Sequence, residues 1–152
     1  MAAHTDNTVE IDAPRDYVWE RMMDIESWPD LFTEYAKAEV IEEDGNHVKF
    51  RLTTHPDPEY DNQVWSWVSE READPDSYTS KSRRIETGPF EFMDIAWSFE
   101  ETEGGGTLMR WVQDFSMKPS APADDETAQE YMNKNTRVQM AAIKEKLEAQ
   151  RP

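Results

Sequence analysis

The sequence predicts an α+β domain in which a curved antiparallel sheet of six to seven strands wraps around one long C-terminal helix. Three observations predict this fold. The hydrophobic period is close to about 3.6 residues early in the chain, changes to about 2 from residue 38 onward, and returns to about 3.6 over residues 124–149. Turn-forming sequences separate the segments of short period. We expect a single domain over residues 1–152, because this length supports one hydrophobic core.

The amino-terminal segment predicts a strand followed by two short helices. Residues 7–12 alternate weakly between apolar and charged side chains, as in a half-buried strand. Pro14 suits the first turn of a helix that runs to Met23. The next segment, WPDLFTEY, has apolar residues at spacings of three, one and three, which predicts a second short helix entered through Pro29.

Five or six further strands follow, and turn signals separate them. The segments EDGNH, HPDPEYDN, ADPDS, GPF and EGGGT contain the Gly, Pro, Asn and Asp residues that favour turns. Alternation assigns one face of each strand to the core. The residues predicted on this inward face are Phe50, Leu52, Trp65, Trp67, Met93, Ile95, Trp97, Phe99, Met109, Trp111, Phe115 and Met117.

One long helix over residues 124–149 ends the predicted order of elements. It carries an apolar stripe among charged residues, which is typical of a helix that packs through one face. The stripe consists of Met132, Thr136, Met140, Ile143 and Leu147. A strand, two short helices and a curved sheet that holds a C-terminal helix on its concave side together form the helix-grip architecture.

Composition argues against several classes of function. The chain has 33 acidic and 16 basic residues and a formal charge of -17, so it would repel a nucleic-acid backbone. It has no cysteine for disulfides or thiolate chemistry, and its three histidines lack metal-ligand spacing. No apolar segment is nearly as long as the run of about 18 residues that a membrane-spanning helix needs. We therefore expect a cytoplasmic protein without metal, nucleic-acid or membrane partners.

The aromatic residues suggest a ligand pocket. The chain has six tryptophans, a residue that is rarely used only to fill a small core, since the indole is large and its N–H needs a partner. Four of the six lie on the predicted concave face, together with Ser69, Arg71 and Gln113. These rings could simply pack against the last helix. The polar side chains on the same face favour a pocket.

Arg71 and Tyr35 are the candidate catalytic residues. In the segment QVWSWVSER, alternation places Arg71 on the face of Trp65 and Trp67. Inside a cavity its guanidinium would stay charged, polarise carbonyl oxygens and stabilise an enolate, although an arginine at a strand end is often solvated. The Tyr35 phenol, with an ordinary pKa near about 10, suits proton donation to an alkoxide, and an ordinary tyrosine at a pocket rim is the alternative.

Five long segments of the chain resemble one known family. The segments HTDNTVEIDAP, DIESWPDLFTEYAKAEV, VWSWVSER, RRIETGPFEFM and MRWVQDFSMKP, in this order, resemble the single-domain aromatase/cyclases of bacterial type II polyketide synthases. The resemblance covers nearly the whole chain. That family has the helix-grip fold of the START and Bet v 1-like superfamily, in agreement with the elements predicted above.

The resemblance implies a reaction and partners. A poly-β-ketone would arrive on the phosphopantetheine arm of an acyl carrier protein, and the cavity would fold it. An intramolecular aldol condensation, usually between the ninth and fourteenth carbons, would close the first ring, and loss of water would make it aromatic. The ketosynthase components would be further partners in antibiotic or pigment biosynthesis, and no cofactor of the enzyme itself is implied.

The resemblance also implies a set of site residues. The catalytic arginine at the end of the VWxWVSxR strand corresponds to Arg71, and the tyrosine of the FxEY motif corresponds to Tyr35. Thr33 stands where serine is common. The pocket residues that the resemblance implies are Trp28, Phe32, Trp65, Trp67, Phe90, Met93, Trp97 and Trp111. The further expected substrate-binding residues are Thr33, Ser69 and Gln113, and Asn135, for which solvent exposure is the alternative.

Two other functions remain open at this stage. The chain could be a non-catalytic carrier of an aromatic or lipid ligand, or a structural subunit of a synthase complex. Arg71 together with Tyr35 favours the enzyme, because a carrier of apolar ligands gains little from burying a guanidinium. The basic stretch of Lys81, Arg83 and Arg84 is a candidate docking site for the acidic carrier protein.

Overall fold

The computed structural model describes residues 2–58 and 61–151, which form one antiparallel sheet that curves around a C-terminal helix. Its strands follow the order β1-β7-β6-β5-β4-β3-β2. The elements in chain order are β1 (Ala3–Ile11), α1 (Arg15–Met23), a 3-10 turn (Ile25–Ser27), α2 (Trp28–Leu31), β2 (Tyr35–Asp44), β3 (His47–Thr54), β4 (Ser66–Asp74), β5 (Thr79–Arg84), β6 (Phe90–Glu101), β7 (Thr107–Met117) and α3 (Asp125–Ala149). The predicted α+β helix-grip fold is confirmed.

The first strand is longer than the sequence predicted. It begins at Ala3 instead of residue 7, and Ala3 pairs with Phe115 of β7. The sequence did not predict the first half of β1, because the inward residues Thr5 and Asn7 are polar and give no alternation of apolar and polar side chains. Both are buried beneath α3, where polar groups meet them: the Asn7 amide donates to Asn133 Oδ1 over 2.8 Å.

The second helix is shorter than predicted. α2 has only four residues and ends at Leu31, and Phe32 already has extended backbone angles of φ -101° and ψ 139°. Tyr35 is therefore the first residue of β2 and does not lie on a helical face. Gln139 of α3 fixes the extended connection, since its side chain accepts from the Thr33 N–H and donates to the Thr33 hydroxyl, each over 2.9 Å.

The predicted inward face of the sheet and the stripe of α3 are the core. Nine of the twelve inward residues are buried, and Trp65, Ile95 and Met117 are half-buried. The residues buried along α3 are Ala128, Thr136, Gln139, Met140, Ile143 and Leu147. Predicted Met132 is half-buried, at the amino-terminal half of this helix. The carboxyl-terminal half of α3 is thus packed more completely than the half that precedes it.

In the described part of the chain, no helix is both long and apolar enough to cross a membrane.

We predict that truncating one core side chain of α3 strongly destabilises the fold. Ile143 is 0% exposed, so Ile143→Ala should lower the free energy of unfolding by about 2–5 kcal/mol, as the transfer energy is lost and a cavity remains. Urea denaturation measures this change. The control is Val138→Ala on the same helix, where the side chain is 50% exposed and the expected change is within about 0.5 kcal/mol. Equal effects of the two substitutions would contradict the packing described here.

Candidate active site

A small cavity of about 60 Å³ lies between the concave face of the sheet and the amino-terminal half of α3. This volume holds about two water molecules, whereas pockets for organic ligands usually measure about 300–1,000 Å³. A substrate larger than a few atoms therefore requires the walls to move apart. The predicted site residues that line this cavity are Trp28, Tyr35, Trp67, Ser69, Met93, Trp97, Trp111, Gln113 and Asn135.

Aromatic rings in mutual contact build one wall. The Trp97 ring lies 5.5 Å from the Trp28 ring and 5.4 Å from the Trp111 ring, measured between centroids. Phe32 is buried and contacts Trp28, Tyr35, Trp97 and Trp111, but it packs behind this wall and does not line the cavity. Rings that support one another in this way give a wall of defined shape.

The indole N–H groups of this wall differ in their hydrogen bonding. Trp28 Nε1 donates to the Met22 carbonyl over 2.9 Å. Trp97 Nε1 and Trp111 Nε1 are buried and have no acceptor among the residues that the structure describes. A buried donor without an acceptor costs about 1–3 kcal/mol, so a ligand that brings carbonyl oxygens to these two indoles would recover that energy.

Gln113 links the sheet to α3 at the polar side of the cavity. It is 1% exposed, and its amide nitrogen donates to Thr136 Oγ1 over 2.7 Å and to Thr5 Oγ1 over 3.2 Å. Both amide hydrogens therefore have protein partners. This arrangement fixes the position of the helix above β7.

Three ionisable groups lie together at the cavity: Glu34, Tyr35 and Arg84. Glu34 Oε2 accepts a hydrogen bond from the Asn135 amide over 2.6 Å. Burial raises the pKa of the Glu34 carboxyl, while the Asn135 bond and the positive charge of Arg84 oppose the rise. Burial also raises the pKa of the Tyr35 phenol well above its usual value, with a further contribution from Glu34 and an opposing one from Arg84. Tyr35 is thus a neutral proton donor at physiological pH.

Arg84 provides the positive charge beside this group. Its guanidinium carbon lies 4.0 Å from the centroid of the Trp67 ring and 4.6 Å from that of Phe90. Burial lowers the pKa of Arg84 to about 10, against the attraction of Tyr35 and Glu34. The side chain therefore remains charged at neutral pH, held over two aromatic faces.

Arg71 is buried, as predicted, but it does not line the cavity in this state. It is 5% exposed and follows Ser69 on the same face of β4. Its Nη1 donates over 3.1 Å to the carbonyl of Met23, the last residue of α1. Its Nε is buried and has no acceptor within residues 2–58 and 61–151. Burial lowers the pKa of Arg71 to about 10, and Glu43 opposes this shift.

Three further predicted residues, like Phe32, do not line the cavity. Thr33 is exposed and bound to Gln139. Trp65 is half-buried just before β4, and its backbone N–H donates to Thr54 Oγ1 over 2.9 Å. Phe90 is buried in a separate apolar cluster, with Arg84 across its ring.

Sequence reasoning missed Glu34 and Arg84 as cavity residues. The basic stretch of Lys81, Arg83 and Arg84 predicts one docking site, but successive residues of a strand point to opposite faces. Arg83 pairs with Glu70 on the outer face over 2.6 Å, whereas Arg84 turns toward the cavity. The period-2 series of Ser80, Ser82 and Arg84 could have revealed this orientation. No such signal was available for Glu34 beyond its place beside Tyr35.

A larger depression of about 580 Å³ lies on the outer face of the sheet and is open to solvent. Its walls include the row Glu70, Arg83, Asp94 and Asp114, which pair in register across β4 to β7. The charged groups there partly neutralise one another, as in the Glu70–Arg83 pair. The depression has neither the aromatic walls nor the enclosure of the inner cavity.

Comparison with known proteins identifies the family. Residues 2–148 match the family model described as polyketide cyclase / dehydrase and lipid transport. A protein of Streptomyces cyaneus named "Putative polyketide cyclase" is 51% identical over 97% of this chain and 95% of its own length. A protein of the same name from Streptomyces halstedii is 56% identical over 74% of this chain and 100% of its own length.

A solved structure supports the fold. The crystal structure of the Zhui aromatase/cyclase from Streptomyces sp. R1128 superposes with a TM-score of 0.84 and 22% identity, over 97% of this chain and 94% of that chain. At this identity the likeness concerns the fold alone. The family match and the two Streptomyces relatives show that the chain belongs to the polyketide cyclase/dehydrase and lipid-transport family, as one of its polyketide cyclases.

Proposed function

We propose that this cyclase closes the first ring of a poly-β-ketone, between the ninth and fourteenth carbons, and aromatises it by loss of water. The substrate would arrive on the phosphopantetheine arm of an acyl carrier protein in a type II polyketide synthase. One observation carries the proposal: an aromatic wall with two indole donors that lack acceptors stands beside Tyr35, Glu34 and Arg84. Such a site suits a flexible chain with many carbonyl oxygens better than a plain hydrocarbon.

Positioning supplies most of the rate and all of the selectivity in this proposal. A poly-β-ketone cyclises unaided, but through several competing pairs of carbons. Walls such as Trp28, Trp97 and Trp111 would limit the conformations of the chain, and holding two reacting groups together is worth up to about 7–11 kcal/mol. The defined shape of the wall would decide which two carbons meet.

Tyr35 and Arg84 would act on the oxygen of the carbonyl under attack. When the new carbon–carbon bond forms, this oxygen becomes an alkoxide and takes the phenolic proton of Tyr35. The phenolate that remains lies near the positive charge of Arg84, which stabilises it. In this proposal Tyr35 is the proton donor, and Arg84 stabilises the phenolate that proton transfer leaves.

Arg71 would act at the other end of the site once the cavity has widened. Its Nε has no protein acceptor, and it lies on the same strand face as Ser69, which lines the cavity. A carbonyl oxygen of the folded chain would bind this N–H, so that Arg71 polarises the carbonyl and stabilises the enolate.

We predict that the protein changes the products of a minimal synthase. Reconstitution of the ketosynthase and acyl carrier protein with and without this chain, followed by identification of the aromatic products, measures the effect. Wild-type protein should direct the products to one first-ring pattern. An unchanged distribution would show that the chain is not a cyclase in this system and would favour a carrier of an aromatic ligand.

We predict that Tyr35→Phe lowers turnover by about 100-fold or more, because it removes the proton donor and keeps the ring. Single-turnover rates in the same synthase measure this loss. The control is Tyr17→Phe, which removes a phenol that donates to the Leu147 carbonyl over 2.8 Å, away from the cavity. Equal rates for wild type and Tyr35→Phe would leave Tyr35 as a wall residue only.

We predict that Arg71→Met reduces turnover and retains the fold, because methionine keeps much of the apolar stem and removes the charge. Product analysis and thermal unfolding are measured together, since Arg71 also binds the Met23 carbonyl. Arg51→Met, on a half-buried arginine of β3 that pairs with Glu86, is the control. Full activity of a folded Arg71→Met protein would remove Arg71 from the mechanism.

A further inference from the structure

We propose that Glu34 is the general base that removes the carbon-bound proton of the polyketide before the ring closes. This proposal rests on the proposed aldol reaction. That reaction needs a group that accepts a proton from a methylene between two ketones, and neither Tyr35 nor Arg71 can do so: the phenol is neutral and the guanidinium is already protonated.

Glu34 is the one carboxylate among the described residues that line the cavity, and no histidine lines it. The other ionisable side chains that face the cavity are Tyr35 and Arg84, because the Arg83 side chain pairs with Glu70 on the outer face. Tyr35 and Arg84 both carry their protons at neutral pH. The lining therefore contains a single side chain able to accept a proton, and that side chain adjoins the proposed acid in sequence.

Asn135 and Gln139 hold the carboxylate in place. The Asn135 amide donates to Glu34 Oε2 over 2.6 Å, and Gln139 donates to Asn135 Oδ1 over 3.3 Å. Gln139 also binds Thr33, the residue before Glu34, through the two hydrogen bonds described above. Residues 135 and 139 are one helical turn apart, so α3 fixes the carboxylate through two successive amides. A base held in this way loses little orientational freedom when substrate binds.

The surroundings adjust the basicity of Glu34. The groups that act on its carboxyl are Asn135 and Arg84, which favour the charged form, and Asp57, which disfavours it, in addition to burial. The net effect raises the pKa of Glu34, so the carboxylate holds a proton more strongly than an exposed one. A carboxylate of raised pKa is a stronger base than an exposed one, and this suits it to general base catalysis.

The proposed steps balance. Glu34 takes a proton from the methylene carbon, and the electron pair of that bond forms an enolate, whose carbon bonds to the carbonyl carbon opposite. The carbonyl oxygen becomes an alkoxide and takes the proton of Tyr35. The protonated Glu34 then returns a proton to the Tyr35 phenolate. In the second stage Glu34 removes another proton from the same carbon, the electron pair forms the carbon–carbon double bond, and the hydroxyl leaves as water with the proton of Tyr35. The protonated Glu34 again returns its proton to the Tyr35 phenolate, so both residues regain their starting states.

The test is Glu34→Gln in the full chain with the reconstituted synthase. Glutamine keeps the size of the side chain, and its carbonyl oxygen can accept the Asn135 hydrogen bond. We expect turnover to fall by about 100- to 10,000-fold, while the residual product keeps the wild-type ring pattern. Glu145→Gln, at an exposed position of α3, is the control and should leave turnover unchanged.

The pH profile separates a base from a residue that only supports the fold. The base must be deprotonated, so the wild-type rate should fall as the pH drops through the raised pKa of Glu34, and this acidic limb should be absent in Glu34→Gln. Glu34→Asp should retain the limb at a reduced rate. A folded Glu34→Gln protein with wild-type turnover, or with the acidic limb intact, would overturn the proposal while the cyclase function stands. If wild type itself leaves the products unchanged, the cyclase function falls and this proposal falls with it.

Discussion

The packing of α3 against the concave face of the sheet determines both the stability and the site of this protein. The carboxyl-terminal half of the helix inserts Ile143 and Leu147, each 0% exposed, into the apolar core. The amino-terminal half instead presents Met132, Asn135 and Thr136 to the cavity. The apolar carboxyl-terminal half of the helix thus closes one end of the sheet. The more polar amino-terminal half leaves a cavity between the helix and the other end.

Charge is also distributed unevenly between the cavity and the outer surface of the protein. The chain carries a formal charge of -17, yet Arg71 and Arg84 lie on the inner side of the sheet, and Glu34 is the one carboxylate among the described residues that line the cavity. Burial lowers the pKa of both arginines to about 10, so both side chains remain charged at neutral pH. A poly-β-ketone enolate would therefore meet positive charge inside the sheet and negative charge outside it. Under the proposed function, the anionic intermediate is stabilised only within the fold.

The sequence predicted the parts of the structure that a repeating pattern determines. Alternation placed Trp67, Met93, Trp97 and Trp111 on the concave face, and the helical stripe identified α3 through residues such as Ile143, because both patterns report burial directly. The sequence did not predict the parts of the structure in which polar side chains far apart in the chain hydrogen-bond to one another. The buried Thr5 and Asn7 of β1 do not appear apolar, and the length of α2 depends on Gln139, more than a hundred residues further along the chain. For the same reason the contact of Arg71 with the Met23 carbonyl could not be foreseen.

The small volume of the cavity constrains the order of events. At about 60 Å³ the cavity is smaller than a folded polyketide, so under the proposed function the walls separate before the chemistry begins. Separation costs least where few apolar side chains are buried, which is the amino-terminal half of α3 and not the half that holds Ile143. Asn135 belongs to the looser half and also binds Glu34. Under the proposed mechanism, the movement that admits the substrate would therefore release the carboxylate, and closure of the helix would restore its position, so that the base is aligned when water has been excluded.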